Sequence, residues 1–189
     1  MRTETITKTY KLFTELNDEQ KQKAIEENRD FNLEHEWWQP CYDCFTSIAS
    51  IMGIDIENIF FSGFYSQGDG ACFIGDFSYK KGFLQKIKDY VPHDLELIEI
   101  AKKLQLAHRK SFYRASGAIM HNSRYMYAES INLQLDDEYN LENSYDDFYH
   151  VFVDLGNYIY EKLEAEHNYL QSDECISQDL INNEVEFEV

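Results

Sequence analysis

Ser66, Asp69 and His121 are residues whose types could support nucleophilic catalysis. Hydrolysis by a serine needs a positioned base, and an acid can orient that base. Ser66 lacks the Gly-x-Ser-x-Gly context of a hydrolase nucleophile and is followed by Gln-Gly. We keep open the hypothesis of a small enzyme or ligand-binding protein at the ends of two predicted hairpins. The residues of that site would be Ser66, Gln67, Asp69, His121, Arg124 and Tyr125.

Cys41 and Cys44 have the spacing of a redox motif or of half a zinc site. Pro40 favours the first turn of a helix, so both cysteines are expected on that helix. No second Cys or His pair follows at zinc spacing. We predict that both thiols are reduced and metal-free, and we expect no cofactor.

The charge of the chain is strongly negative and unevenly distributed. The net charge is −18, from 35 acidic and 17 basic residues. Residues 136–189 contain sixteen acids and one base, Lys162, whereas residues 1–135 contain nineteen acids and sixteen bases. A chain this acidic repels nucleic acid phosphates, so its expected partners are proteins with basic surfaces.

A long helix is predicted over residues 145–170, where apolar residues recur at helical spacing. On another side of it Asp147, Asp154 and Glu161 repeat every seven residues, which places carboxylates ~10 Å apart along the helix. This row of carboxylates favours a partner surface. The residues expected to form it are Asp136, Asp137, Glu138, Asp147, Asp154, Glu161 and Glu164.

Residues 59–78 are the segment around which the fold is predicted to form. Two β-prone runs flank Gln67-Gly68-Asp69-Gly70, and Asp-Gly is typical of a tight hairpin turn. This predicts strands at 59–66 and 71–78, central in the sheet and covered on both sides. A second hairpin is predicted from strands at 111–121 and 124–135. With the helices, these hairpins predict an α+β fold with an antiparallel sheet.

The remaining segments add further elements to one domain over residues 1–189. A strand is predicted over residues 3–13, a helix capped by Asn17 with Gln20 as capping-box partner, and an edge strand or frayed end from Glu184. Further helices are predicted at 38–52, 80–90 and 94–110 and, short, near Asp179. The nine bases within residues 80–114 are interpreted as a solvated helix face.

The segment Phe61-Ser-Gly-Phe-Tyr-Ser-Gln-Gly-Asp-Gly-Ala-Cys-Phe73 resembles a motif of small phage and prophage proteins that are often labelled antitoxin-like. The resemblance covers roughly residues 5–135 and includes the Trp-containing helix and His121-Asn-Ser-Arg-Tyr125. It implies a mobile-element origin and no settled reaction. The acidic region after residue 136 lies outside the resemblance.

Two functions follow as expectations. The first is a non-enzymatic inhibitor that binds a host nuclease, restriction system or CRISPR complex through its acidic surface, as a DNA mimic in one version. The second is the enzyme or ligand site at the hairpin ends. No apolar run approaches the ~20 residues that span a bilayer. We therefore expect a protein of the host cytoplasm with neither membrane nor direct nucleic acid contact, whose oligomeric state stays open.

Overall fold

The structure is a computed structural model that describes residues 8–136 and 144–189. Within them the fold is α+β with antiparallel sheets, which confirms the predicted class. The described helices are α1 (Asp18–Glu27), α2 (Gln39–Met52), α3 (Phe83–Tyr90), α4 (Leu95–Lys110), α5 (Tyr145–Leu170) and α6 (Asp173–Asn182). The described strands are β1 (Tyr10–Leu12), β2 (Ile54–Phe61), β3 (Ala71–Ser78), β4 (Ser116–His121), β5 (Ile131–Leu135) and β6 (Glu186–Glu188).

The chain divides into two compact units. The larger comprises residues 38–164, and the smaller combines the residues up to 37 with residues 165–189. The expectation of one domain over residues 1–189 stays a prediction, because a compact unit need not fold independently. No helix in the described ranges is both long and apolar enough to cross a membrane.

The larger unit contains a four-stranded antiparallel sheet in the order β2-β3-β4-β5. The two predicted hairpins are therefore present and adjacent. The first is not central as a whole, because β3 is an inner strand and β2 lies at the edge. A bulge between Ile56 and Asn58 lies opposite Gly75, where a Cβ atom would approach the Asp55 carbonyl oxygen to 2.1 Å. Glycine is therefore required at this position by the close approach of the β2 backbone.

The strand boundaries differ from the predicted ones. The strand predicted at 59–66 runs from Ile54 to Phe61, and residues 62–70 form a loop instead of a tight turn. The second hairpin has shorter strands than predicted. Phe112 and Tyr113 have φ angles of 53° and 61°, which break an extended strand, and Ala128–Ser130 forms a 3₁₀ turn.

Aromatic side chains join the sheet to the helices of the larger unit. Phe73 lies 5.5 Å from Phe45 of α2, and Phe77 lies 4.9 Å from Phe152 of α5, measured between ring centroids. On α5, Phe148 and Phe152 are fully buried. The helix predicted over 145–170 is confirmed with those bounds, because its broad apolar face covers the sheet. The helix predicted at 38–52 is also confirmed as α2, although Cys41 is only half-buried.

The smaller unit contains a β1–β6 pair together with α1 and α6. The pair confirms the predicted edge strand near the end of the chain. The strand predicted at 3–13 is observed from Tyr10 to Leu12, and residues 3–7 of that prediction lie outside the described residues. Asn17 and Gln20 form the predicted capping box. The helix predicted near Asp179 is present as α6, and the small apolar cluster of this unit is formed by Phe13, Leu16, Ala24, Ile25, Ile176 and Leu180.

His108 of α4 is a buried histidine in the aromatic core. Its ring lies 5.0 Å from Phe148 and 5.3 Å from Tyr79, and among the described residues its Nδ1 atom has no hydrogen-bond partner. Burial lowers the pKa of His108 to about 4 from the usual 6.5, because the charged imidazolium would lose its hydration. The core therefore holds His108 in its neutral form.

His108 should make the free energy of unfolding depend on pH. Its pKa is lower folded than unfolded, so its contribution is complete above about pH 6.5 and is lost as the pH falls toward about 4. The loss should reach about 3 kcal/mol. The measurement is denaturant unfolding of wild type and His108→Leu across this range, with the pH dependence of their difference as the readout. His108→Met should give the same difference curve, and a difference independent of pH would contradict the assignment.

Candidate binding surfaces

The two hairpin loops meet at one end of the sheet. The N-terminal end of β3 lies beside the C-terminal end of β4 because the strands are antiparallel. The loop of residues 62–70 thus lies beside that of residues 122–130. A Cβ atom on Gly70 would lie 2.7 Å from Tyr127 Cα, and the rings of Phe60 and His121 are 5.3 Å apart. The structure therefore brings together the segments that carry the predicted ligand-site residues.

Asp69 holds the first loop in shape. Its carboxylate accepts hydrogen bonds from the Tyr65 and Ser66 amides at 3.0 and 2.7 Å, and its own amide donates to the Ser66 carbonyl at 3.1 Å. The loop is closed by the Ser62 amide, which donates to the Gly70 carbonyl at 3.0 Å. The Asp-Gly sequence that predicted a two-residue turn thus organises a longer loop.

Tyr160 anchors this loop to α5. Its hydroxyl donates to the Gly63 carbonyl at 3.2 Å, and its ring lies 5.4 Å from that of Phe64. Phe64 in turn stacks on Phe61 at 5.9 Å. These contacts explain why the aromatic run does not continue as a strand past Phe61.

Of the six predicted ligand-site residues, Ser66, Asp69 and His121 are the possible triad, and they do not form one. His121 Nε2 lies 2.8 Å from the Tyr125 carbonyl oxygen, and Asp69 is used by loop amides. Within residues 8–136 and 144–189, no hydrogen bond is found that joins the side chains of Ser66, Asp69 and His121. Of the six predicted residues, Ser66, Gln67, Arg124 and Tyr125 are exposed.

The heptad carboxylates of α5 face lysines of α4. Lys110 Nζ lies 2.8 Å from Asp147 Oδ1, and Lys103 Nζ lies 2.7 Å from Asp154 Oδ2. Lys103 and Lys110 are also seven residues apart, so two antiparallel helices place both pairs in the same register. We call this arrangement the α4–α5 ladder. Both lysines stay about half exposed, as predicted for the bases in 80–114, and they also form these ion pairs.

The next rung of the α4–α5 ladder carries two acids. One heptad further, α4 presents Glu96 and α5 presents Glu161. The pKa of Glu96 is raised, first by partial desolvation and then by the negative charge of Glu161. Among the described residues, no ion pair is found for either carboxylate. The seven-residue spacing of Glu96, Lys103 and Lys110 on α4 is a sequence signal for this ladder. The prediction of the acidic row used only the acids of α5.

Asp94 fixes the start of α4 against α5. Its side chain caps α4 by accepting from the Leu97 amide at 3.0 Å, and it also accepts from the Tyr158 hydroxyl at 2.9 Å. Lys162 Nζ lies 3.2 Å from it. Burial opposes ionisation, but these hydrogen bonds outweigh it and hold the pKa of Asp94 below its usual value. Lys162, the single base in residues 136–189, is thus already paired.

The other predicted partner residues are placed as follows. Asp136 is exposed and accepts a hydrogen bond from the Ser116 hydroxyl. Glu164 is half-buried on α5, near Tyr160. Asp137 and Glu138 lie outside the described residues.

Cys41 and Cys44 both lie on α2, as predicted. Cys41 is half-buried and Cys44 is exposed, and neither forms a disulfide with another described cysteine. In the part of the chain that the structure describes, no group of three or more His, Cys, Asp or Glu residues has the arrangement of a metal site.

The chain belongs to the family described as Domain of unknown function (DUF8835), whose model matches residues 37–173. The matched segment contains the four-stranded sheet, both hairpin loops and the α4–α5 ladder. No curated protein matches the chain, and no solved structure matches it. The family description names no activity, so the function is argued from the residues themselves.

Replacing Asp69 should loosen the first hairpin loop. Asp69→Ala removes the acceptor of two amides and should lower the free energy of unfolding by about 1–2 kcal/mol. Asp69→Asn keeps one acceptor oxygen and should recover part of this loss. Hydrogen exchange at the Tyr65 and Ser66 amides should become faster. The matched control is Gln67→Ala, an exposed change expected to cost below about 0.5 kcal/mol; equal effects of Asp69→Ala and Gln67→Ala would contradict the assigned role.

Proposed function

We propose that this protein acts by binding a partner with a basic surface and that it is not an enzyme. The partner class that fits best is a nucleic-acid-handling host protein or complex, because such proteins carry basic grooves. Together with the resemblance to phage and prophage proteins, this supports a mobile-element inhibitor of a host defence system or an antitoxin-like role. Its site of action would then be the host cytoplasm.

The charge balance supports a partner that brings positive charge. With 35 acids and 17 bases, the chain carries eighteen more carboxylates than lysines and arginines. Ion pairs within the protein therefore leave a large negative field around it. Such a field raises the rate of association with a basic partner and weakens as salt increases.

The observation that carries the proposal is the acidic rung at Glu96 and Glu161. Two rungs of the α4–α5 ladder are neutralised by Lys103 and Lys110, whereas at this rung the charge of Glu161 adds to partial desolvation in raising the pKa of Glu96, and Lys162 offsets only part of this. A lysine or arginine from a partner would supply the positive charge that Lys103 and Lys110 supply at the other two rungs. Glu164, one helical turn further along α5, extends the same acidic end.

The proposed contact surface is narrower than the heptad row predicted from the sequence. Asp147 and Asp154 are partly neutralised, so the row is not a free series of charges resembling phosphates. DNA mimicry would therefore depend on Glu161, Glu164 and the overall charge. Asp136 remains part of the proposed surface, and Asp137 and Glu138, which lie outside the described residues, stay predicted members of it.

A second candidate is a small-ligand site at the hairpin ends. The convergence of the two loops favours it, because it places Gln67, Arg124 and Tyr125 at one end of the sheet. Arg124→Ala with Tyr125→Ala would abolish such a function, because it removes two of the side chains that would contact the ligand. Both side chains are exposed, so the variant should still fold. The same double variant should leave binding through the acidic rung unchanged.

Affinity capture from a host lysate tests the acidic rung. Wild type and Glu161→Lys/Glu164→Lys are compared at low and high salt, with mass spectrometry of the captured proteins. Reversing both charges should weaken capture of the basic partner by well over tenfold at low salt, because attraction becomes repulsion. Asp147 and Asp154 are unsuitable for this test, since a lysine at either position would face Lys110 or Lys103 and disturb the fold.

The matched control is Asp89→Lys/Glu186→Lys, which changes the net charge equally at exposed positions of α3 and β6. It should retain most of the capture, and thermal melts should show all variants folded. Equal capture by wild type and the Glu161/Glu164 variant would contradict the proposed surface.

A further inference from the structure

A groove lies between α2 and the edge strand β2. Its volume is about 550 Å³. One wall is a single face of α2, and the other is a continuous stretch of β2. It is lined by Trp38, which precedes α2, by Tyr42, Asp43 and Thr46 of α2, and by residues 56–61 of β2.

The groove follows the backbone edge of β2. Six consecutive residues of β2 line the groove, so it runs along the strand, and the bulge between Ile56 and Asn58 lies within this stretch. β2 is the first strand of the sheet, and among the described residues no strand pairs with its outer edge. An edge strand presents N–H and C=O groups that can pair with another strand.

Asn58 shields one amide of this edge. The Ile59 amide donates to the Asn58 side-chain oxygen at 2.9 Å. This bond to a neighbouring side chain satisfies the amide without a partner strand. A carbonyl of an incoming strand could replace the Asn58 oxygen with little loss, because one acceptor is exchanged for another.

The chemistry of the lining identifies the occupant. Asp43 and Glu57 are exposed carboxylates of the groove, and no lysine or arginine lines it. The aromatic side chains of Tyr42 and Phe60 are half-buried beside them. We infer that an extended, basic segment of a partner protein binds in this groove and pairs with the free edge of β2 as an added strand.

A second copy of this chain fits the groove poorly. Pairing of β2 with β2 of another molecule would bring Asp43 and Glu57 of both copies close together. Each copy carries a net charge of −18, so the like charges would oppose this contact. A basic segment would instead be attracted by the carboxylates of Asp43 and Glu57, and its backbone could form hydrogen bonds with the edge of β2.

This inference goes beyond the acidic rung, because the groove is built from α2 and β2 and not from α4 and α5. The rung recognises positive charge on side chains. The groove recognises an extended backbone and uses charge to select a basic one. Separate substitutions test the groove and the acidic rung, so the experiments can reject one proposal without rejecting the other.

The probe is a synthetic peptide of alternating lysine and valine, about ten residues long, which matches the strand length. Titration into ¹⁵N-labelled protein at physiological salt should shift the amide signals of residues 56–61 and of Tyr42 and Thr46. The Ile59 amide should also exchange more slowly with solvent. The same peptide with alternate backbone nitrogens methylated keeps its charges but loses one edge of hydrogen-bond donors, and it should bind at least tenfold more weakly.

Charge reversal tests the rim of the groove. Asp43→Lys/Glu57→Lys should weaken peptide binding at least tenfold, whereas Asp89→Lys/Glu186→Lys, with the same change in net charge, should stay within about threefold. Glu161→Lys/Glu164→Lys should also stay within that range. Thermal melts establish that each variant is folded.

Three results would overturn the inference. One is equal binding of the methylated and unmethylated peptides. Another is the absence of shifts in β2 signals at about 1 mM peptide, a concentration that detects even weak complexes. The third is self-association through β2, seen as a dimer in ultracentrifugation whose β2 amides are already protected from exchange.

Discussion

The antiparallel packing of α4 against α5 is the constraint on which the charge distribution of the larger unit depends. Burial of Phe148 and Phe152 fixes one face of α5 on the sheet, so its heptad carboxylates must lie to the side. Lys103 and Lys110 meet two of these carboxylates at 2.7 and 2.8 Å. The same register brings Glu96 toward Glu161, so one geometric rule produces both the neutralised rungs and the acidic one.

Pairing of β3 with β4 determines which loops meet at one end of the sheet. It brings two loops together, and Gly70 allows the backbone of Tyr127 to approach where any side chain would collide. Asp69 then satisfies two loop amides and is not available to orient a base. The long motif that includes Asp69 is therefore explained by loop architecture.

Patterns that depend on local chemistry were predicted well from the sequence. The α5 boundaries followed from its apolar repeat and the cap of α1 from Asn17 and Gln20, because each is decided within a few residues. The β2 boundaries were wrong, since Phe64 and Tyr65 are β-prone but Phe64 packs on Tyr160 and Phe61 instead. The pairing of Asp147 and Asp154 was missed, because it depends on which helix lies beside α5.

Site-specific photo-crosslinking in host cells tests the central claim most directly. A photoreactive residue replaces Glu161 in one variant and Gln67 in another, so the acidic rung and the hairpin end are compared in the same protein. The account predicts that position 161 crosslinks to a protein rich in lysine and arginine and that position 67 does not. Crosslinking of such a partner from position 67 alone would contradict the account and move the binding site to the hairpin loops.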